Sequence, residues 1–300
     1  MRALSTVLPL MVDSAEGFRQ APAMEDHQRL AADVVRLGGT ARYGDLMRAG
    51  HSRSRIQAAV RAGAVQLVRR GLAGVPDGEP EIRTALKVNG LITCISAAKE
   101  LRLWTIKDPE CLHLWSDHGG LPKSVATHRS ALVGDRLPGG YVPVIDAVLH
   151  TLRCRPPLEA LVLAESAVRR GAVGQAELVR HLPGPRNGAR RAVVQRIGKD
   201  ADSPLEVIAR ELFRAAGLRV ETQVEIRGLG RVDLLIEGRL IVELDGMDFH
   251  WTRDAFRKDR RRNNEGVLSG LPTLRYVYED VVFRPQAVLA QVMSVLRRGA

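Results

Sequence analysis

Apolar residues at Leu30, Val34 and Leu37 recur at helical spacing through DHQRLAADVVRL, residues 26 to 37, and Gly38-Gly39 closes the run. TARYGDLMRAG reads as a second short helix ended by Gly50. HSRSRIQAAVRAG reads as a third, with Ser52 as N-cap, Ile56, Ala59 and Val60 on one stripe, and Gly63 as the stop. AVQLVRRGLAGV then alternates into two brief strands across Arg70-Gly71. Three short helices followed by a two-stranded ribbon outline a winged helix-turn-helix over residues 26–78, behind a loose tail of residues 1–25.

The pattern is weaker over residues 79–200, where helical pieces around Ala85 and Ala97, a strand CLHLW, Gly- and Pro-rich loops from Asp117 to Tyr141 and a helix PPLEALVLAESAVRRG suggest a mixed α/β middle domain. Its end, Arg180 to Lys199, holds six Lys or Arg and no acid, and reads as a basic connector or a phosphate-binding surface. The pattern sharpens again at residue 203. SPLEVIARELFRAAG has Ser203 as N-cap, Pro204 at the first helical position, Leu205, Ile208, Ala209, Leu212 and Phe213 on one face, and Gly217 as the stop. A strand VETQVEI, the hairpin RVDLLIEGRLIVELDG, a basic helix from Asp254 to Leu268, a strand TLRYVY and a helix from Pro285 to Leu296 complete an α-β-β-β-α-β-α order over residues 203–298. The expected architecture is therefore multidomain.

Each strand of that hairpin carries a carboxylate inside its apolar run, Asp233 and Glu243. A three-residue turn at Glu237-Gly238-Arg239 sets the two directly opposite, with Cβ atoms about 5 Å apart. At an effective dielectric near 20 they repel by roughly 3 kcal/mol before desolvation, which a divalent cation would offset; hard oxygen ligands suit Mg²⁺, or Mn²⁺, better than zinc. The competing readings are an ion pair of Asp233 with Arg231 and of Glu243 with the basic helix. Glu206, in the first turn of its helix, is either a third ligand or the reciprocal partner of Ser203 in a capping box. His250 follows in the loop after Gly246, where an imidazole would serve as general base toward water, and a surface histidine is the alternative. RDAFRKDRRRNNEGVL places Arg257, Lys258 and Arg261 on a face suited to water or to phosphate.

Composition narrows the class. The net charge of +11 favours polyanionic partners, DNA first, though a generally Arg-rich surface gives the same figure. With 45% hydrophobic and 26% charged residues and no long apolar run, the chain reads as a soluble, cytoplasmic protein with no membrane partner. Asp13 stands where an export signal would need a small-residue cleavage site. Three scattered cysteines, Cys94, Cys111 and Cys154, show no CxxC spacing and argue against structural zinc. Dinucleotide, P-loop, HExxH and nucleophile-elbow motifs are absent from the sequence.

Glu206, Asp233, IVELDG, His250 and FRKDRRR together resemble the family related to very-short-patch-repair endonucleases within the PD-(D/E)XK nuclease superfamily, over about residues 203 to 298. That resemblance implies a restriction-endonuclease-like α/β domain with a mixed central sheet, Asp233 as main metal ligand, Glu206 as the helix acid and His250 as the catalytic histidine. Asp245 departs from the superfamily pattern, which has lysine there; Lys258 or His250 would take that role, or the domain binds nucleic acid without cutting it. GGTARYGDLMRAGHSRSRIQAAVRAGAVQLVRRGLAGV resembles the winged-helix domain of abortive-infection, type IV toxin-antitoxin antitoxins, which implies DNA binding and operon autoregulation. Read from the residues, helix 52–62 enters the major groove with Arg53, Arg55, Gln57 and Arg61 outward, while Arg69 and Arg70 touch phosphate; a helical bundle for protein contacts is the alternative. Two functions follow: a Mg²⁺-dependent DNA endonuclease using Asp233, Glu243, Glu206, His250 and Lys258, or a non-catalytic repressor with a cognate toxin as partner.

Overall fold

The computed structural model describes residues 17–118, 120–245 and 271–298. His250, Arg257, Lys258 and Arg261, and with them the basic helix, lie outside the described residues. The chain is a multidomain α/β protein in which contacts divide it into two compact units. One runs to Ile92 and resumes for Cys111–Val142; the other comprises Thr93–Glu110 and the chain from Pro143 onward. The stretch expected as a separate middle domain is thus shared between the two. No helix of the described residues is long and apolar enough to cross a membrane.

In the first unit, α1 (Gly17–Arg36), α2 (Tyr43–Arg48) and α3 (Arg53–Arg61) surround a core of Leu30, Val34, Leu46, Ile56, Ala59 and Val65. Helix α1 begins inside the expected loose tail, at Gly17. Ser52 caps α3 as expected, accepting the amide of Arg55 at 3.3 Å. Strands β2 (Gln66–Arg69) and β3 (Leu72–Gly74) meet across Gly71, whose φ of +82° allows the tight reversal. The sequence reading missed β1 (Thr40–Arg42), which pairs antiparallel with β3 and completes a sheet ordered β1-β3-β2. Three residues carry too little alternation to announce a strand. Asp33 accepts from His51 at 2.7 Å and from Arg36 at 2.8 Å, tying α1 to the turn ahead of α3. The first unit also holds α4 (Pro80–Lys87) and a second small sheet, β4 (Leu91–Ile92), β5 (His113–Trp115) and β6 (Ala126–His128), with β5 antiparallel to β4 and parallel to β6.

The second unit packs α5 (Val144–Cys154), α6 (Pro157–Arg169), α7 (Gln175–Arg180) and α8 (Gly188–Gln195) with α9 (Pro204–Ala215) in one apolar core. Helix α8 corrects the connector reading. Val193 and Val194 are buried in that core, Gln175 donates to the Val194 carbonyl at 2.8 Å, and Arg191 closes the preceding turn through the Leu182 and Gly184 carbonyls, each at 2.7 Å. Two valines in a basic stretch gave too short an apolar signal to show this. Next comes a four-stranded sheet ordered β10-β9-β8-β7, from β7 (Val220–Ile226), β8 (Gly230–Ile236), β9 (Leu240–Asp245) and β10 (Thr273–Val277). The sheet is mixed: β7, β8 and β9 are antiparallel and β10 runs parallel to β9. Helices α10 (Tyr278–Phe283) and α11 (Pro285–Arg298) follow.

Glu165 on α6 and Arg210 on α9 are each about 1% exposed and join by two parallel bonds of 2.8 Å. Gly198 donates its amide to Glu165 at 2.9 Å, and a Cβ at Gly198 would lie 2.4 Å from an Arg210 guanidinium nitrogen. Removing one member of such a buried pair strands the other charge, a loss of about 3–5 kcal/mol. Arg210→Met is expected to destabilise the second unit by that amount in urea denaturation, and Glu165→Leu in the same chain to recover much of it.

Candidate functional site

The acids predicted as a cluster sit where α9 meets the sheet. Ser203 accepts the Glu206 amide at 3.2 Å, so the helix starts as its sequence indicates. The Glu206 carboxylate does not complete the expected reciprocal bond to Ser203. Its Oε2 accepts the amide of Asp202, one residue earlier, at 2.9 Å and the side-chain amide of Gln223 at 2.7 Å. The same Gln223 nitrogen reaches Asp233 Oδ1 at 3.3 Å, and Asp233 Oδ2 accepts the backbone amide of Leu244 at 2.8 Å. One glutamine therefore holds two carboxylates of like charge.

The backbone explains why these groups converge. Strand β7 pairs with β8 through Thr222↔Leu234 and Val224↔Val232, and between those pairs Gln223 adopts φ +53°, a left-handed conformation rare for a side-chain-bearing residue. Asp233 lies at the matching break in β8, with Val232 in a small cluster beside Ile241 and Leu234 in the main core. The β8–β9 register is the expected one, Ile236↔Leu240, Leu235↔Ile241 and Leu234↔Val242. Its ladder ends one step short of Asp233 and Glu243. Leu244 packs on the main core, so strand alternation turns Glu243 and Asp245, both half-buried, toward the other side of β9. The described contacts bring Glu206 and Asp233 together through Gln223; they do not join Glu243 to that pair. Arg231, weighed as the Asp233 partner, pairs with Asp202 at 2.7 Å.

Glu206 is 4% exposed, and burial pushes its carboxyl above the usual range, with the Asp233 charge adding to the rise while the bonds from Asp202, Gln223 and Ser203 oppose it. Two acids offering oxygen ligands suit a hard divalent cation, which would relieve both the burial and the repulsion. Gln223 was missed because a single polar residue in a half-exposed strand is ordinary; only its place opposite Asp233 marks it.

In the first unit the exposed side chains of Arg53, Gln57, Arg61 and Arg70 line a hollow of about 450 Å³ with Tyr43 and Leu67 between them. Arg55 is also exposed and pairs with Asp26 at 3.1 Å. Arg69 differs from its neighbours: its guanidinium is bonded to the Leu86 carbonyl at 3.1 Å and to the Asn89 side chain, so it holds the ribbon onto the end of α4.

Two pairs of donor side chains were not anticipated: His113 Nδ1 and His128 Nε2 stand 3.2 Å apart in the first unit, and the Cys94 and Cys154 sulfurs meet in the second. Cys94 opens a short 3-10 turn, His113 and His128 stand on β5 and β6, and Cys154 ends α5. The two sulfurs share a hydrogen bond that holds the Cys154 thiol near a pKa of about 7 and, with burial, pushes Cys94 well above the usual range. The chain matches no family model and no curated protein.

The raised Glu206 carboxyl has a defined consequence for stability. From the usual glutamate value of 4.5 upward, the unfolded chain sheds this proton before the folded chain does, so stability is lost as pH rises through that window. In metal-free protein, Glu206→Gln is expected to unfold at higher urea than the wild type near neutral pH and to lose that advantage near pH 4. An unchanged difference across a urea series over that range would contradict the burial argument.

Proposed function

We propose that the protein binds DNA through a winged helix-turn-helix in its first unit and carries a restriction-endonuclease-like, Mg²⁺-dependent phosphodiesterase domain at its C-terminal end. The observation that carries the nuclease reading is the meeting of Glu206, from the first turn of α9, with Asp233, from a break in β8 of a mixed sheet, through Gln223. The resemblance of residues 203 to 298 to repair-endonuclease relatives assigns the same two acids. Asp233 and Glu206 would hold the ion, without Glu243, which strand alternation turns to the other side of β9. Bound Mg²⁺ supplies a Lewis acid and lowers the pKa of attacking water.

The chain's own residues do the rest. Gln223 keeps the two acids aimed at one point, and the Leu244 amide fixes the rotamer of Asp233. His250 accepts the proton of the attacking water, and Lys258 stabilises the phosphate charge, a role the superfamily gives to a lysine where this chain has Asp245. In the first unit, α3 offers Arg53, Gln57 and Arg61 to a DNA groove, and Arg70 at the tip of the ribbon takes a phosphate. Arg69 is assigned to folding rather than to DNA.

A second reading, a non-catalytic repressor or antitoxin with a toxin as partner, is favoured by Asp245 itself, which adds a negative charge where catalysis asks for a positive one.

Purified wild type and Asp233→Ala are to be incubated with supercoiled, nicked, mismatched and single-stranded DNA in Mg²⁺ or Mn²⁺. Cutting by the wild type alone is the expected outcome. DNA binding by both with no metal-dependent cutting by the wild type overturns the nuclease assignment and leaves the repressor. In the same protein, Arg53→Ala with Arg61→Ala should weaken DNA binding and flatten its salt dependence by about 0.9 in the log–log slope for each phosphate no longer neutralised.

A further inference from the structure

We infer that Cys94 and Cys154 form a reversible thiol–disulfide site inside the second unit, oxidised by hydroperoxides and reduced by dithiols. Both cysteines belong to that unit, as do Thr93, His150 and Thr151, which place them. Cys94 opens its short turn against α5, and Cys154 is the last residue of that helix. Thr93, the residue before the turn, shares a buried hydrogen bond of 2.7 Å with His150 of α5. One position further along the helix, the Thr151 hydroxyl donates to the Cys94 sulfur at 3.4 Å. Thr151 and Cys154 are three residues apart and so share one face of α5, and the Cys94 sulfur meets both. The two sulfurs lie within 4.8 Å of each other and share a hydrogen bond. Cys94 reaches this place from a backbone at φ +55°, a conformation that side-chain-bearing residues rarely adopt.

The two thiols differ as a sensing pair requires. Cys154 is exposed, while Cys94 is fully buried, so an oxidant arriving from solvent meets Cys154 first. The hydrogen bond from Cys94 brings the Cys154 thiol down to about 7 against the burial that raises it, and the Arg155 charge adds to the fall. A large fraction is therefore thiolate at neutral pH. That thiolate attacks one oxygen of the peroxide: an S–O bond forms, the O–O bond breaks, and the departing hydroxide takes a proton from solvent. Cys94 then attacks the sulfenic sulfur: the S–S bond forms, the S–O bond breaks, and the leaving hydroxide takes the Cys94 proton and departs as water. Each sulfur has given up one electron and the peroxide has taken two. Held in contact, Cys94 needs no standing thiolate population, because its proton leaves with the hydroxide. Closing the sulfurs to about 2 Å turns the exposed side chain at the helix end toward a buried partner that is already anchored.

The test uses the full-length chain, reduced with dithiothreitol, freed of reductant and kept in a chelator so that no metal masks the sulfurs. After a slight excess of hydrogen peroxide, removed with catalase, the chain is denatured and labelled with N-ethylmaleimide. Labelled cysteines are expected to fall from three to one, with Cys111 the one that remains. Peptide mapping should find Cys94 joined to Cys154 within one chain, at a mass lower by two hydrogens, and dithiothreitol should restore all three thiols. Cys94→Ser removes the resolving sulfur, so dimedone should then capture a sulfenic acid at Cys154 that the wild type does not accumulate; Cys154→Ser should give neither product. Because Cys94 lies in the core, a melting curve establishes that each variant is folded, and the wild-type map decides the matter where one is not. Three labelled cysteines after peroxide, a disulfide that uses Cys111, a bond only between separate chains, or a sulfenic acid that persists at Cys154 of the wild type overturns the inference.

Discussion

The buried, bidentate pair of Glu165 and Arg210 ties α6 to α9 in the core of the second unit. Two charges this far from water are tolerable only when their lone pairs and protons are used, and here the carboxylate has both guanidinium bonds and the Gly198 amide, while Arg210 also reaches Glu211 at 3.2 Å. The pairing fixes the rotation of α9 about its own axis. Glu206 precedes Arg210 by one helical turn and shares its side of the helix. With Arg210 seated on α6, Glu206 lies on the buried side of the helix start, where its carboxylate takes the Asp202 amide and Gln223 of β7. Gly198 is part of the same constraint, because any larger residue there would displace the guanidinium.

What that orientation achieves is an arrangement poorly satisfied on its own. Glu206 is nearly buried next to a second acid, and the donors it has are two amides and no cation among the described contacts. A core optimised for stability would not place carboxylates at a break in a sheet, nor hold a glutamine in a left-handed backbone to bridge them. Such departures from local preference concentrate where a structure serves chemistry. The break between Thr222↔Leu234 and Val224↔Val232 is what lets Asp233 leave the alternation of its strand and turn toward the helix acid.

Much of this was legible because it rests on short-range rules. The Ser203 cap, Pro204, the apolar face of α9, the Gly71 reversal and the β8–β9 register all follow from neighbours a few residues apart, and the structure has each of them. The mixed sheet was what the resemblance of residues 203 to 298 implied, and the structure has one. What escaped depends on distance along the chain or on weak local signal. β1 is too short to alternate, α8 hides two core valines among arginines, and the division of residues 79–200 is set by tertiary packing. Gln223 matters only through what lies across the ladder. Arg69 looks like its neighbour Arg70 in sequence, yet one is bonded to the end of α4 and the other is exposed.

Zinc outcompetes Mg²⁺ at almost any mixed site, so a carboxylate cluster keeps its selectivity for a hard cation only where every donor is oxygen. Glu206 and Asp233 meet that condition, with no sulfur or imidazole among their described contacts. Among those contacts, the further side chain that reaches both is the Gln223 amide, which donates to the two acids and so holds them at a common point without adding a soft donor beside them.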